Sequence, residues 1–198
     1  LMKKQWQVKA IEKSPQARAF AKEHFGLEVD AETELPHYPS DAFDVVTLWH
    51  VMEHIEHLNE MWKTLHKILK ERGVLIVAVP NPDSYDAKKY KEWWAAYDVP
   101  RHLWHFRPSV IQQFGAKHGF ILEERKPMPF DAFYVSMLTE KYKGSKLSFV
   151  KGLWTGDCFE LRIPMADVAE GTQVHLELPV YGRGHPIFWN LEYLDGEE

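Results

Sequence analysis

The sequence holds a single cysteine, Cys158, which excludes an internal disulfide and fits a reducing, cytoplasmic setting. It lacks any apolar run approaching the roughly 20 residues that cross a bilayer. Its opening residues, LMKKQWQV, lack the apolar segment of a signal peptide. A basic excess is missing as well: 24 Lys and Arg against 29 Asp and Glu leave a net charge of −5, which gives no footprint for nucleic acid. There are no internal repeats and no low-complexity segments. These absences exclude a disulfide scaffold, a membrane span and a basic nucleic-acid module. What is present, 45% apolar and 27% charged residues in a chain of 198, describes one α/β domain, alone or with an appendage. Eight Trp and 11 His point to aromatic-lined pockets or a rich core.

The chain is organised around residues 43–81. FDVVTLW, a β-branched and aromatic run, reads as a buried strand. His50, Glu53, His54, Glu56 and His57 cluster after it. An amphipathic helix follows on Val51, Ile55, Leu58, Trp62, Leu65 and Leu69, with Lys67, Lys70 and Arg72 expected in its last turn and Gly73 just past its end. VLIVAVP is a second wholly apolar strand. Two such strands joined by a helix make a βαβ unit with a parallel buried sheet, and such sheets take ligands at the carboxyl ends of their strands, where His50 and Asn81 fall.

Upstream, residues 6–12 (WQVKAIE) read as a strand ending in Glu12. A helix follows with Ser14 as N-cap, Pro15 in its first turn and Gly26 at its end. A short strand at 27–29 leads to Asp30. Downstream, a helical piece is expected over 87–96. Two prolines then bracket Arg101, His102, Trp104, His105 and Phe106, a long aromatic loop of the kind that serves as a lid. RPSVIQQFGAKHGF reads as a helix closed by Gly119, FILEERKPM as a strand, and the segment from Phe130 to about Lys143 as a helix. After Gly156, CFELRIPM, TQVHLELPV and PIFWNLEYL read as an antiparallel meander or an addition to the sheet edge.

VKAIEKSPQARAFAKEHFGLEV, FDVVTLWHVMEHI, GVLIVAVPN and DVPRHLWHFRPSVIQQFGAKHGF together resemble class I S-adenosylmethionine-dependent methyltransferases of the small-molecule group, over residues 5–156. The resemblance implies a Rossmann-like three-layer α/β sandwich with a mostly parallel sheet, lacking its first strand and glycine-rich loop in residues 1–156. Residues 157–198 are expected to form a β-rich extension. It implies S-adenosylmethionine as cofactor and methyl transfer to a small-molecule or carbohydrate- or lipid-linked acceptor. Glu12 matches the acid that holds the ribose hydroxyls, Asp30 the acid near the adenine amino group, and Trp49 and His50 the positions lining the methionine end. His102 and His105 match a loop closing over the methyl-transfer site and are the expected bases. No metal is implied. The family's GxGxG loop would precede the acid strand, so the chain reads as truncated at its N-terminus. An exposed sheet edge there suggests a homodimer.

Three other readings use the same residues. VHLELPVYGRGHPIFWNLEYL has the order strand, acid, GxG and so fits a permuted first unit; TQVHLELPV lying parallel beside VKAIE would support that order. His50-x-x-Glu53-His54 is also the HxxEH pattern of zinc hydrolases, with Glu123 or Glu124 as third ligand. A methyltransferase-like fragment without activity is the remaining one.

Overall fold

The computed structural model describes residues 6–145, 159–161 and 173–177. Chain order runs β1 (Gln7–Ile11), α1 (Pro15–Phe25), β2 (Phe43–Trp49), α2 (Leu58–Ile68), β3 (Leu69–Val79), α3 (Tyr85–Tyr90), α4 (Pro108–Lys117), β4 (Lys126–Pro127), α5 (Pro129–Tyr142), β5 (Phe159–Leu161) and β6 (Gln173–Glu177). Short 3-10 turns cover Glu32–His37, Met52–His54, Lys91–Trp93 and Ala95–Tyr97. Among the described residues, no helix is long and apolar enough to cross a membrane.

The sheet order is β1-β6-β2-β3-β5-β4. β1, β6, β2 and β3 are parallel, and β5 runs antiparallel to β3 and β4. β6 pairs with β1 in register Gln7↔Gln173 to Ile11↔Glu177, and with β2 from Val45↔Val174 to Thr47↔Leu176. Among the described residues, β5 and β6 do not form the expected antiparallel meander: β5 adds antiparallel beside β3, and β6 does not pair with it. β6 enters the middle of the sheet in parallel, the arrangement the permuted order requires. The YGRGH turn and PIFWNLEYL lie outside the described residues.

Why these segments take these conformations is mostly local. The Ser14 hydroxyl accepts from the Ala17 N–H at 3.3 Å, Pro15 occupies the first turn, and Gly26 ends α1 at φ 65°. In β2 the alternation places Val46 and Leu48 in the main core with Leu75 and Val77 of β3, beneath Trp62, Leu65 and Ile68 of α2 and Ile111 of α4. Val45 and Val74 pack on the other face with Trp6 and Ile76. Both faces of the central strands are thus covered, as a parallel sheet requires. A third cluster, Ala87, Tyr90, Trp94 and Ala96, packs against Val135 of α5.

Four boundaries differ from expectation: the helix expected over 87–96 is Tyr85–Tyr90 followed by two 3-10 turns, and three others shift as well. α2 ends at Ile68, so Lys70, Arg72 and Gly73 belong to β3. Phe43 pairs with Leu69 while Val45 pairs with Val74, so the intervening residues of β3 bulge outward, and Lys70 Nζ reaches both Asp44 oxygens at 2.8 Å. Residues 27–29 form no strand; only Asp30 bridges Ile11. Of FILEERKPM, only Lys126–Pro127 pair.

Gly119 does close α4, at φ 87°, and a Cβ there would stand 2.7 Å from His66 Nε2. We expect Gly119→Ala to destabilise the chain by about 1–3 kcal/mol, combining a left-handed backbone with that clash. A denaturant titration showing a loss below roughly 0.5 kcal/mol, the range of neutral surface changes, would contradict it.

Candidate active site

The chain leaves β1, bridges outward through Asp30 on the edge of β1 away from β6, and returns on the far side of β6 as β2 before continuing to β3. Connections on either side of β6 therefore run in opposite directions. The crevice outside the carboxyl ends at such a reversal is where open α/β sheets bind ligands. Glu12, Trp49 and His50 stand at that end.

Glu12 is half-buried, one residue past β1. Its N–H donates to the Asp30 carbonyl at 3.0 Å, and its Oε1 accepts from the Ser14 N–H at 2.7 Å. The Arg18 guanidinium donates to the Glu12 and Lys13 carbonyls at 2.7 and 2.9 Å and fixes the turn. Among the described residues no hydrogen bond reaches Oε2, so a pre-oriented carboxylate keeps acceptor capacity toward the crevice end of the sheet. Asp30 is more committed: its Oδ2 accepts from Tyr38 Oη at 2.7 Å and Lys9 Nζ at 3.4 Å. Burial, and then the Asp30 bond, push the Tyr38 hydroxyl far above its usual range, so it remains a donor.

Trp49 ends β2, half-buried. His50 follows at φ 55°, a left-handed conformation uncommon outside glycine. Its N–H still donates to the Ala78 carbonyl at 2.9 Å, so the turn begins immediately after the last ladder bond. The ring bridges two carboxylates: Nε2 lies 2.8 Å from Asp131 Oδ2 on α5, and Nδ1 lies 3.4 Å from Glu53 Oε1. Burial pulls the His50 pKa down, but the Asp131 and Glu53 carboxylates more than offset that and raise it to about 9. The contribution to folding is full below 6.5, the ordinary value, and fades as pH rises through about 9. We expect Asp131→Asn to lower the His50 pKa toward 6.5 and to flatten the stability profile in that window. An unchanged pKa in an NMR titration of the ring protons would contradict this.

The loop before α4 is stitched onto the turn after β2. The Leu103 and Trp104 N–H groups donate to the Glu53 carbonyl at 2.8 and 3.3 Å. Trp104 Nε1 donates to the Ile55 carbonyl at 2.7 Å, and His54 Nδ1 to the Arg101 carbonyl at 3.0 Å. Arg101 itself pairs with Asp98 at 2.6 Å. His102 is buried, with Nδ1 donating to the Ala96 carbonyl at 2.8 Å; burial pushes its pKa down. His105 is exposed and donates through Nε2 to the Tyr97 carbonyl at 3.0 Å. The His54, His102 and His105 rings form a file, with centroid separations of 4.7 and 6.4 Å. Behind the loop, α5 holds the Ala95 N–H on Thr139 Oγ1 at 2.9 Å and donates Ser136 Oγ to Asp86 at 2.6 Å.

Two motifs read separately from the sequence, MEHI and RHLWH, thus form one structure. The HxxEH helix does not form: Met52–His54 is a single 3-10 turn, and His50 lies before it in a left-handed conformation facing Asp131. Glu124 pairs with Lys126 at 3.3 Å.

A family model described as a methyltransferase domain matches residues 1–124. The chain belongs to this family. S-adenosylmethionine is the cofactor that membership implies. No curated protein matches the chain. Solved structures agree on the fold. A sarcosine dimethylglycine methyltransferase candidate from Galdieria sulphuraria is 9% identical, over 79% of this chain and 68% of its own, at a TM-score of 0.55. The cyclopropane synthase MmaA2 from Mycobacterium tuberculosis is 14% identical over 79% and 69%, at 0.51. A SAM-dependent methyltransferase from Thermotoga maritima, described as a possible histamine N-methyltransferase, is 21% identical over 60% and 56%, at 0.49. The chain therefore spans little more than half the length of that last relative.

The residues of this methyltransferase domain fit a nucleoside at Glu12, whose position past a parallel strand and spare carboxylate oxygen suit a pair of ribose hydroxyls. Neither the presence of Asp131 at the site nor the burial of Glu53 was expected. Glu53 reads in the sequence as a member of the histidine–acid cluster after FDVVTLW and of the HxxEH pattern. Asp131 lies 81 residues from His50, and its one local signal is its position in the first turn of a helix.

Proposed function

We propose that the chain transfers a methyl group from S-adenosylmethionine to a small-molecule or carbohydrate- or lipid-linked acceptor. The observation that carries this reading is the Glu12 carboxylate, held by the Ser14 N–H at 2.7 Å with its second oxygen unengaged among the described residues, at the reversal point of the sheet. Glu12 would hold the ribose, and Trp49 and His50 would line the methionine end. Asp30 would meet the adenine through whatever acceptor capacity Tyr38 and Lys9 leave it. When bound, the cofactor supplies a methyl group on a sulfonium, open to in-line displacement. The loop around His102 and His105, bonded to the turn after β2, would close over the bound cofactor.

Of the two histidines expected as bases, His105 keeps that role. Its Nε2–H is spent on the Tyr97 carbonyl, so Nδ1 carries the lone pair, and its ring is exposed to an incoming acceptor. His102 is buried, with Nε2 3.9 Å from Glu53 Oε1. Calorimetric titration of the full chain with S-adenosylhomocysteine tests the reading: saturable one-to-one binding is expected, and no heat at millimolar ligand would contradict it.

A further inference from the structure

We infer that Glu53, His54 and His102 form a binding site for one divalent first-row cation, with zinc the best match to the donor set. One ligand atom from each residue lies within 4.8 Å of the others. The hydrogen bonds leave the Nε2 atoms of His54 and His102 as lone pairs. A carbonyl oxygen can only accept, so His102 carries its proton on Nδ1, bonded to the Ala96 carbonyl at 2.8 Å, and His54 carries its own on Nδ1, bonded to the Arg101 carbonyl at 3.0 Å. Both rings therefore turn an unprotonated Nε2 outward. Backbone carbonyls orienting histidines through the opposite nitrogen are the support that metal-binding imidazoles require.

Glu53 supplies the second, independent observation. It is fully buried, and neither carboxylate oxygen has a hydrogen-bond partner among the described residues. His102 Nε2 faces its Oε1 at 3.9 Å, so two electron-pair donors oppose one another with no proton between them. His50 Nδ1 also faces this carboxylate, 3.4 Å from Oε1 as an ion pair outside hydrogen-bond geometry, while its Nε2 holds Asp131 at 2.8 Å. A cation between the three groups would give the buried carboxylate the direct contact that neither oxygen has through hydrogen bonds among the described residues. Zinc ligands sit at about 2.0–2.2 Å from the metal, so the three groups close inward by about an ångström on binding. Two histidines and one carboxylate leave a fourth position for water or a substrate oxygen, the pattern of a catalytic rather than a structural site.

This set differs from the HxxEH reading, since His50 is replaced by His102 from the loop, and it does not depend on cofactor binding. The test uses the full chain stripped with chelator and titrated with zinc alone, followed by calorimetry and by metal analysis after gel filtration. Wild type should retain close to one zinc per chain. His54→Ala and His102→Ala should each weaken binding by at least tenfold, Glu53→Gln likewise, and His24→Ala, on the surface of α1, should leave it unchanged. If His102→Ala does not fold, judged by its near-ultraviolet circular dichroism, His54→Ala decides the matter, because its ring is half-exposed and makes one backbone bond. Absence of retained zinc in wild type, or retention equal in wild type and His54→Ala, overturns the assignment.

Discussion

Replacing Trp62 by alanine is expected to lower folding stability by about 3–5 kcal/mol, the range for a large buried aromatic. Trp62 is 3% exposed and is the residue through which α2 grips α4 and the turn that follows it. Its ring lies 5.3 Å from Phe120 and 6.0 Å from Phe114, both edge-on, and 6.1 Å from His118. A cavity of about 30 Å³, lined also by Leu75, Val77, Ile111 and Phe120, already borders it. Leu75 and Val77, on which the ring rests, are strand residues that cannot follow an alanine inward. Each kcal/mol corresponds to roughly 2–4 °C in a chain of this size, so thermal unfolding should shift by about 6–20 °C. Trp62→Phe separates volume from chemistry. The indole Nε1 has no hydrogen-bond partner among the described residues, so losing that buried N–H removes a penalty, and the net cost should stay below about 2 kcal/mol. A Trp62→Ala loss under about 1 kcal/mol would show that α2 and α4 do not share this core.

The second large effect concerns binding. Glu12→Ala should weaken S-adenosylhomocysteine binding ten- to hundredfold. A hydrogen bond to an ionised group contributes about 1.5–3 kcal/mol, and about 1.4 kcal/mol is a factor of ten. Glu12→Gln, which keeps one acceptor oxygen of the same shape, should fall between wild type and Glu12→Ala. The structural part of the change is small: the carboxylate accepts one recorded bond, from the Ser14 N–H, and the helix keeps its Ser14 cap. An Ala variant that folds and binds like wild type would move the ribose away from Glu12.

Much of this architecture is legible residue by residue. FDVVTLW could be little other than a buried strand, and Ser14, Pro15 and Gly26 mark both ends of α1 through backbone chemistry that needs no tertiary partner. Where the sequence misled, a distant partner overrode the local signal. The cations and Gly73 after Ile68 look like a helix end, yet Leu69 pairs with Phe43 and Lys70 with Asp44, which carries them into a strand. Alternation in QVHLE reveals a strand but not its direction, and β6 is placed by pairing with β1 and β2, more than 120 residues away. The site divides in the same way. The place of Glu12 just past β1 and before α1 was visible from the order strand, acid, helix. The buried Glu53 carboxylate and the His50–Asp131 bond exist because α5 and the loop before α4 fold back onto the end of β2, and no short spacing encodes that.

Hydrogen exchange of the full chain with and without saturating S-adenosylhomocysteine tests the central claim, that the reversal point of the sheet is the cofactor site. Slower exchange is predicted for the amides around Glu12 and His50 and for the loop carrying His102 to His105, with no change at the Trp62 cavity. Protection confined to other segments, or none around Glu12 and His50 when ligand is bound, would contradict it.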